Sequence, residues 1–159
     1  MPVPAPSVPG VHARDHLDAG PVVSKDADAL QVVTDLVHHH WDGLVVVDDA
    51  VAPLATVSLA QVLRLALPDY IEDDVSLASV YAERDADTFA ETLRGRTVGE
   101  VMPRPRRRHP PIKVSPDDTL LEVAAVMAVH HTAIVAVVDD GHTIGALGAH
   151  EVMKATLPR

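Results

Sequence analysis

Histidines are the side chains in this sequence best suited to chemistry. Three of the ten are adjacent, His38, His39 and His40, and His130 with His131 forms a second pair. Imidazole ligates metals and titrates near neutral pH, so three readings stand open: a metal site, a pH-sensitive contact, or a cap or solvated group at a helix end. Adjacent residues turn to different faces of a helix, so at most two of the triplet could converge on one ion. Recurrence of the pair in one local setting favours the helix end, where imidazolium suits the carbonyl end of the dipole. Arg104, Arg106, Arg107, Arg108 and His109 form the one basic cluster, either a solvated connector or a phosphate clamp beside a cleft. Ser58, His150 and Asp48 supply the members of a hydrolytic triad. No G-x-S-x-G elbow, glycine-rich phosphate loop or H-E-x-x-H accompanies them, so no catalysis is expected.

Composition narrows the classes further. Thirteen Lys and Arg stand against 23 Asp and Glu, a formal charge of -10, which repels nucleic acid and anionic lipid. Cysteine is absent, which removes disulfides, thiolate nucleophiles and Cys-based metal sites. Aromatic residues make up 3%, too few for base-stacking platforms, and the core must be built from Val, Leu and Ala. The opening MPVPAPSVPG has prolines but no basic start followed by an apolar run, so residues 1–10 read as a disordered lead-in. Apolar runs fall short of the roughly 18–20 residues that span a bilayer, and a cytoplasmic location is expected.

The elements that must position these groups come in two copies. VSKDADALQVVTDLVHHHWDGLVVVDD from Val23 aligns without a gap on VSPDDTLLEVAAVMAVHHTAIVAVVDD from Val114, a shift of 91 positions. Valines alone could match by low complexity, but Ser, Asp, His-His and Asp-Asp landmarks holding one register indicate duplication. In the second copy Ser115 is the expected N-cap, Pro116 the first helical residue, and Asp117 and Asp118 sit at the positive end of the helix. Leu120, Val123, Ala124, Met127 and Ala128 form its apolar stripe to about His130. Ser24 is expected to start the matching helix, with Leu30, Val33, Leu36 and Val37 facing inward. Leu44 to Val47 and Ile134 to Val138 read as strands buried on both sides, followed by Asp-Asp turns, short strands at 54–57 and 144–147, and helices at 59–67 and 149–155. Between the copies, Phe89 and Leu93 anchor a charged helix that Gly95 stops. TVGEVM at 97–102 is the expected lead-in to the second copy, and VHARDHL the lead-in to the first. The domains are therefore a lead-in (1–10), a first repeat (11–67), an acidic linker with a helix (68–96) and a second repeat (97–156).

TVGEVM followed by IKVSPDDTLLEVAAVMAVHHTAIVAVVDDGHTIGALGAHEVM resembles the pattern of the tandem CBS domain pair, named after cystathionine beta-synthase and often called a Bateman module. The first copy follows the pattern more loosely. The resemblance implies a mixed α/β (α+β) fold of two β-α-β-β-α repeats packed as an intramolecular pseudo-twofold pair. It also implies a non-catalytic module that senses an adenine nucleotide or S-adenosyl compound between the repeats and requires no cofactor. The alternative is a ligand-free dimerisation or adaptor module docking on a partner protein. A homodimer is expected, with Leu59, Val62, Leu63 and Ala66 as its face, and no nucleic-acid or membrane partner.

The family's ribose signature, an end-of-strand Thr or Ser followed three residues later by Asp, falls on Ser58 and Gln61 in the first copy and on Gly148 and Glu151 in the second. Each keeps half of the signature, and the family's strand proline is replaced by Val45 and Ala136. Ser58 and Gln61 are expected to matter more, since Gly148 offers no side chain. Val23, Arg106, Arg107 and Arg108 complete the expected ligand-binding set, the arginines serving only phosphorylated ligands. No metal site is expected.

Overall fold

The computed structural model describes residues 10–65, 86–102 and 109–158. The expected disordered lead-in up to residue 9, most of the acidic linker, Ala66, and Arg104, Arg106, Arg107 and Arg108 lie outside the described residues. Two three-stranded sheets organise the rest. In the first, β1 (Val22–Ser24) runs parallel to β2 (Gly43–Val47), which pairs antiparallel with β3 (Pro53–Ser58). Helix α1 (Ala29–His38) joins β1 to β2, and α2 (Leu59–Arg64) follows β3. After α3 (Ala86–Leu93) and α4 (Val98–Val101), the second sheet repeats the order with β4 (Lys113–Val114), α5 (Leu120–His130), β5 (Ile134–Asp139), β6 (His142–Gly148) and α6 (Ala149–Thr156).

The central strands are apolar over residues 44–47 and 134–138 because each of their faces meets a different partner. Leu44 and Val46 join Val32 and Leu36 of α1, whereas the alternate residues Val45 and Val47 cluster with Ile134, Ala136 and Ala146 of the second sheet. Val135 and Val137 likewise turn to Val123 and Met127 of α5. Period-two alternation thus sends one set of side chains to the repeat's own helix and the other to the seam between repeats. Burying each Val, Leu or Ile side chain contributes about 1.5–3 kcal/mol, and a lone repeat would leave the seam set in water.

Gly43 and Ile134 occupy equivalent strand positions and meet at this seam. A Cβ on Gly43 would lie 2.8 Å from Ile134 Cγ2 and 2.4 Å from the Val57 carbonyl oxygen.

Helix boundaries depart from expectation in one consistent way. Ser24 and Ser115 do not cap helices: their hydroxyls accept the Asp26 and Asp117 amides in tight turns. The caps are Asp28, accepting from Gln31 N–H at 2.8 Å, and Thr119, in a reciprocal box with Glu122. Starting later rotates the buried face of α1 to Ala29, Val32 and Leu36, leaving Val37 exposed. Val62 is buried rather than on an outer face, while Leu59 and Leu63 are exposed. Leu93 is fully buried and Gly95 follows with φ +72°, in keeping with the expected anchor and stop.

The lead-ins are crossed. The short 3-10 helix Ala13–His16 sits on the second repeat, with Ala13 N–H donating to the Asp118 carbonyl at 2.8 Å and its methyl in that repeat's core. Helix α4 sits on the first repeat, where Val98 N–H donates to Ala27 O at 2.9 Å, Gly99 N–H to Lys25 O at 2.7 Å, and the Val98 side chain joins the core. Each lead-in therefore docks on the repeat opposite to the one it precedes, and Arg14 reinforces the first of these contacts by pairing with Asp117.

Candidate functional site

Crossing the chain between repeats opens two clefts at equivalent places. The first, about 760 Å³, lies where the end of β3 and the start of α2 face the chain entering β4 and the end of α5. The second, about 840 Å³, lies where the end of β6 and the start of α6 face the chain entering β1 and the end of α1. The hydrogen bonds that form them are also paired: Ile112 N–H donates to Thr56 Oγ1 at 3.1 Å, and Asp18 exchanges backbone bonds with Ala146.

Ser58 and Gln61 both line the first cleft. They also serve the fold, since Ser58 Oγ accepts the Gln61 N–H at 3.3 Å and Gln61 Oε1 accepts the Ser58 N–H at 2.7 Å, a reciprocal capping box on α2. This geometry engages acceptors only. The Ser58 hydroxyl proton and the Gln61 Nε2 protons remain donors for a ligand oxygen.

Gly148 and Glu151 both line the second cleft, as the strand-to-helix alignment requires. Here the helix start is capped differently. Gly148 has no side chain, and Asp42 reaches across from the first repeat, its Oδ2 accepting the His150 N–H at 3.0 Å. Glu151 Oε1 lies 3.6 Å from Nδ1 of His16.

Val23 is not among the residues that line either cleft. It follows Val22 on β1, and strand alternation turns Val22 to the seam and Val23 to the helix-side core. Arg106, Arg107 and Arg108 lie outside the described residues. The cationic lining that is described comes instead from Arg64 and Lys113, with His109, His130 and His131. Lys113 is an exposed residue of β4 and Arg64 ends α2, so sequence alone offered only their helix and strand positions as a signal.

The recurring histidines close helices with their backbones. His40 and His131 adopt left-handed conformations, φ 53° and 50°, and the following amides, Trp41 and Thr132, donate back to Leu36 O and Met127 O. That is the Schellman closure, with histidine where glycine or asparagine is usual. His39 stacks on Trp41 with ring centroids 4.9 Å apart. Among the described residues no three His, Asp or Glu side chains converge as a metal site would require. No helix among them is long and apolar enough to cross a membrane.

The CBS domain family model matches residues 98–157, which is the second repeat with α4. No curated protein matches this chain. A crystal structure of a CBS domain-containing protein of unknown function from Kribbella flavida DSM 17836 is 38% identical, with a TM-score of 0.70 over 91% of this chain and 97% of that one. The CBS domain of a CBS domain-containing membrane protein from Sphaerobacter thermophilus is 24% identical, TM-score 0.60, over 94% and 90% of the two chains. CBSX2, from Arabidopsis thaliana, solved in complex with AMP, is 23% identical, TM-score 0.59, over 91% and 95%. Two β-α-β-β-α repeats across a shared seam, a family match on one of them and a 38% identical relative along nearly the whole length place this chain in the CBS-domain family.

Proposed function

We propose that this chain is a non-catalytic regulatory module that senses an adenosine-containing ligand, an adenine nucleotide or an S-adenosyl compound, between its repeats. The observation that carries this reading is the first cleft: Ser58 and Gln61, a helical turn apart, present remaining hydroxyl and amide donors to one concave space lined by Arg64 and Lys113. A ribose offers vicinal hydroxyls to such donors, and a phosphate suits the two cations. The AMP complex of CBSX2 supports the class of ligand. Because the cleft is built from both repeats, a ligand there bridges them, and its differential affinity for two relative arrangements of the repeats transmits binding to a partner.

Exposed Leu59 and Leu63 on α2, with Met153 on α6, support a homodimer, which sedimentation velocity would report as a species of twice 17.0 kDa. The test of the ligand is thermal shift and calorimetry with AMP, ATP, adenosine and S-adenosylmethionine. Binding to the native state alone raises the melting temperature with ligand concentration. Ser58→Ala is expected to weaken binding by roughly 2- to 12-fold through one lost hydrogen bond. Absence of heat and of any thermal shift with all four compounds would overturn the ligand-sensing reading in favour of a ligand-free dimerisation or adaptor module.

A further inference from the structure

The two clefts are equivalent in topology and opposite in charge. Among the described residues, the first is lined by Arg64 and Lys113 and by no carboxylate, in a chain whose formal charge is -10. Among the same described residues, the second is lined by Asp15, Asp18, Asp42 and Glu151 and by no lysine or arginine. Among the described residues, its only basic groups are the imidazoles of His16, His39, His40 and His150.

We infer that Asp42 is the specificity-determining residue of the pair: it bars anionic ligands from the second cleft and so assigns phosphate-bearing ones to the first. This inference rests on the ligand-sensing reading above. Asp42 belongs to the first repeat, yet its Oδ2 accepts an amide of the first turn of α6 in the second. That amide is therefore already matched to a carboxylate, which competes directly with any ligand anion for the same donor. Gly148 makes the reach possible, because a Cβ there would lie 2.4 Å from the same oxygen. The residue equivalent to Asp42 in the second repeat is Ala133, which has no carboxylate to reach across, and α2 is capped from within its own repeat by Ser58. A phosphate in the first cleft meets the Lys113 ammonium and the side-chain donors of Ser58 and Gln61, whereas one in the second meets an occupied helix start and four carboxylates.

The experiment uses the whole chain at pH 8, with AMP and inorganic tripolyphosphate as probes. Calorimetry counts equivalents, and the fluorescence of Trp41, the only tryptophan and a residue of the second cleft, reports which cleft responds. The expected result is one anion per chain, unchanged Trp41 emission and an affinity lowered roughly fivefold in Lys113→Ala. In Asp42→Ala a second equivalent of tripolyphosphate is expected, accompanied by a change in Trp41 emission. Asp42→Asn keeps an oxygen for the His150 amide and removes the charge, so it preserves the cap and is expected to admit the second equivalent more weakly. Two equivalents in the unmodified chain, a Trp41 response to its first equivalent, an unaltered affinity in Lys113→Ala, or no second equivalent in either Asp42 variant would each overturn the inference. So would failure of both anions to bind. Tripolyphosphate binding once while AMP and adenosine do not would instead remove the adenosyl reading and leave the assignment of anions to the first cleft standing.

Discussion

The first and second repeats share one order of strands and helices, but they are finished by different means. The first closes its hairpin with a loop between Val47 and Pro53, in which Asp48 Oδ1 accepts the Ala50 and Ala52 amides and Val51 sits at φ 63°. The second uses the two-residue turn Asp140-Gly141, both at positive φ, which suits the twist of a tight hairpin. The first caps its last helix with its own Ser58, and the second borrows Asp42 from its neighbour. At the seam the first contributes Gly43 where the second contributes Ile134. Duplication thus preserved topology, while the contacts between copies became unequal so that one copy complements the other.

Breaking the seam should have the largest effect. Ile134 is 1% exposed, so Ile134→Ala removes its contacts with Gly43 and leaves a void that neither sheet can fill; a loss of about 2–5 kcal/mol is expected by urea denaturation. The borrowed cap comes next. Gly148→Ala places a methyl against Asp42 and is expected to cost about 1–3 kcal/mol, whereas Ser58→Ala at the equivalent place loses only a cap, about 1 kcal/mol.

The hairpins give a smaller effect of opposite sign. A β-branched residue at positive φ is strained, so Val51→Gly should stabilise the first repeat by up to about 1 kcal/mol in spite of glycine's greater freedom in the unfolded chain. Gly141→Val in the second hairpin should destabilise for the same reason, and thermal unfolding of both variants checks the pair.

The smallest effect concerns the caps of the first helices. The Thr119 N–H, donating to Glu122 Oε2 at 2.7 Å, and then the Thr119 hydroxyl at 3.1 Å hold the Glu122 carboxyl below the usual glutamate range. A folded-state value below the unfolded one stabilises the protein above the unfolded pKa, about 4.3, and that contribution is lost as pH falls through the lowered folded value. Glu122→Gln keeps the acceptor and removes the titration. The difference in melting temperature between the two proteins should therefore shrink on acidification below about pH 4.3 and stay constant above it.

Much of this architecture was legible in residue order because it rests on local periodicity. The unbroken apolar runs at 44–47 and 134–138 implied strands covered on both sides, and the strands bury there. The phase of α1 was misread because Ser24 and Ser115 satisfy turn and cap equally well on paper. The choice falls to the next residue that can cap, Asp28 or Thr119, once the turn has used the serine hydroxyl. Ser58 and Gln61 were singled out because the family resemblance places its ribose signature on them, and both line the first cleft. Lys113, Arg64 and Asp42 were not, because nothing local distinguishes a charge that lines a cleft from one that faces water.

The sequence by itself determined the duplication, the strand and helix order and the positions of the helix starts bearing Ser58 and Gly148, since each depends on hydrogen bonds and apolar spacing within a few residues. Tertiary structure alone decided that the lead-ins cross, that Gly43 receives Ile134, and that Asp42 travels 108 residues in sequence to cap α6. Those outcomes depend on which surfaces meet when two copies bury their seam. A carboxylate's role there is set by the amide it finds across the interface, and its neighbours in the chain carry no record of it.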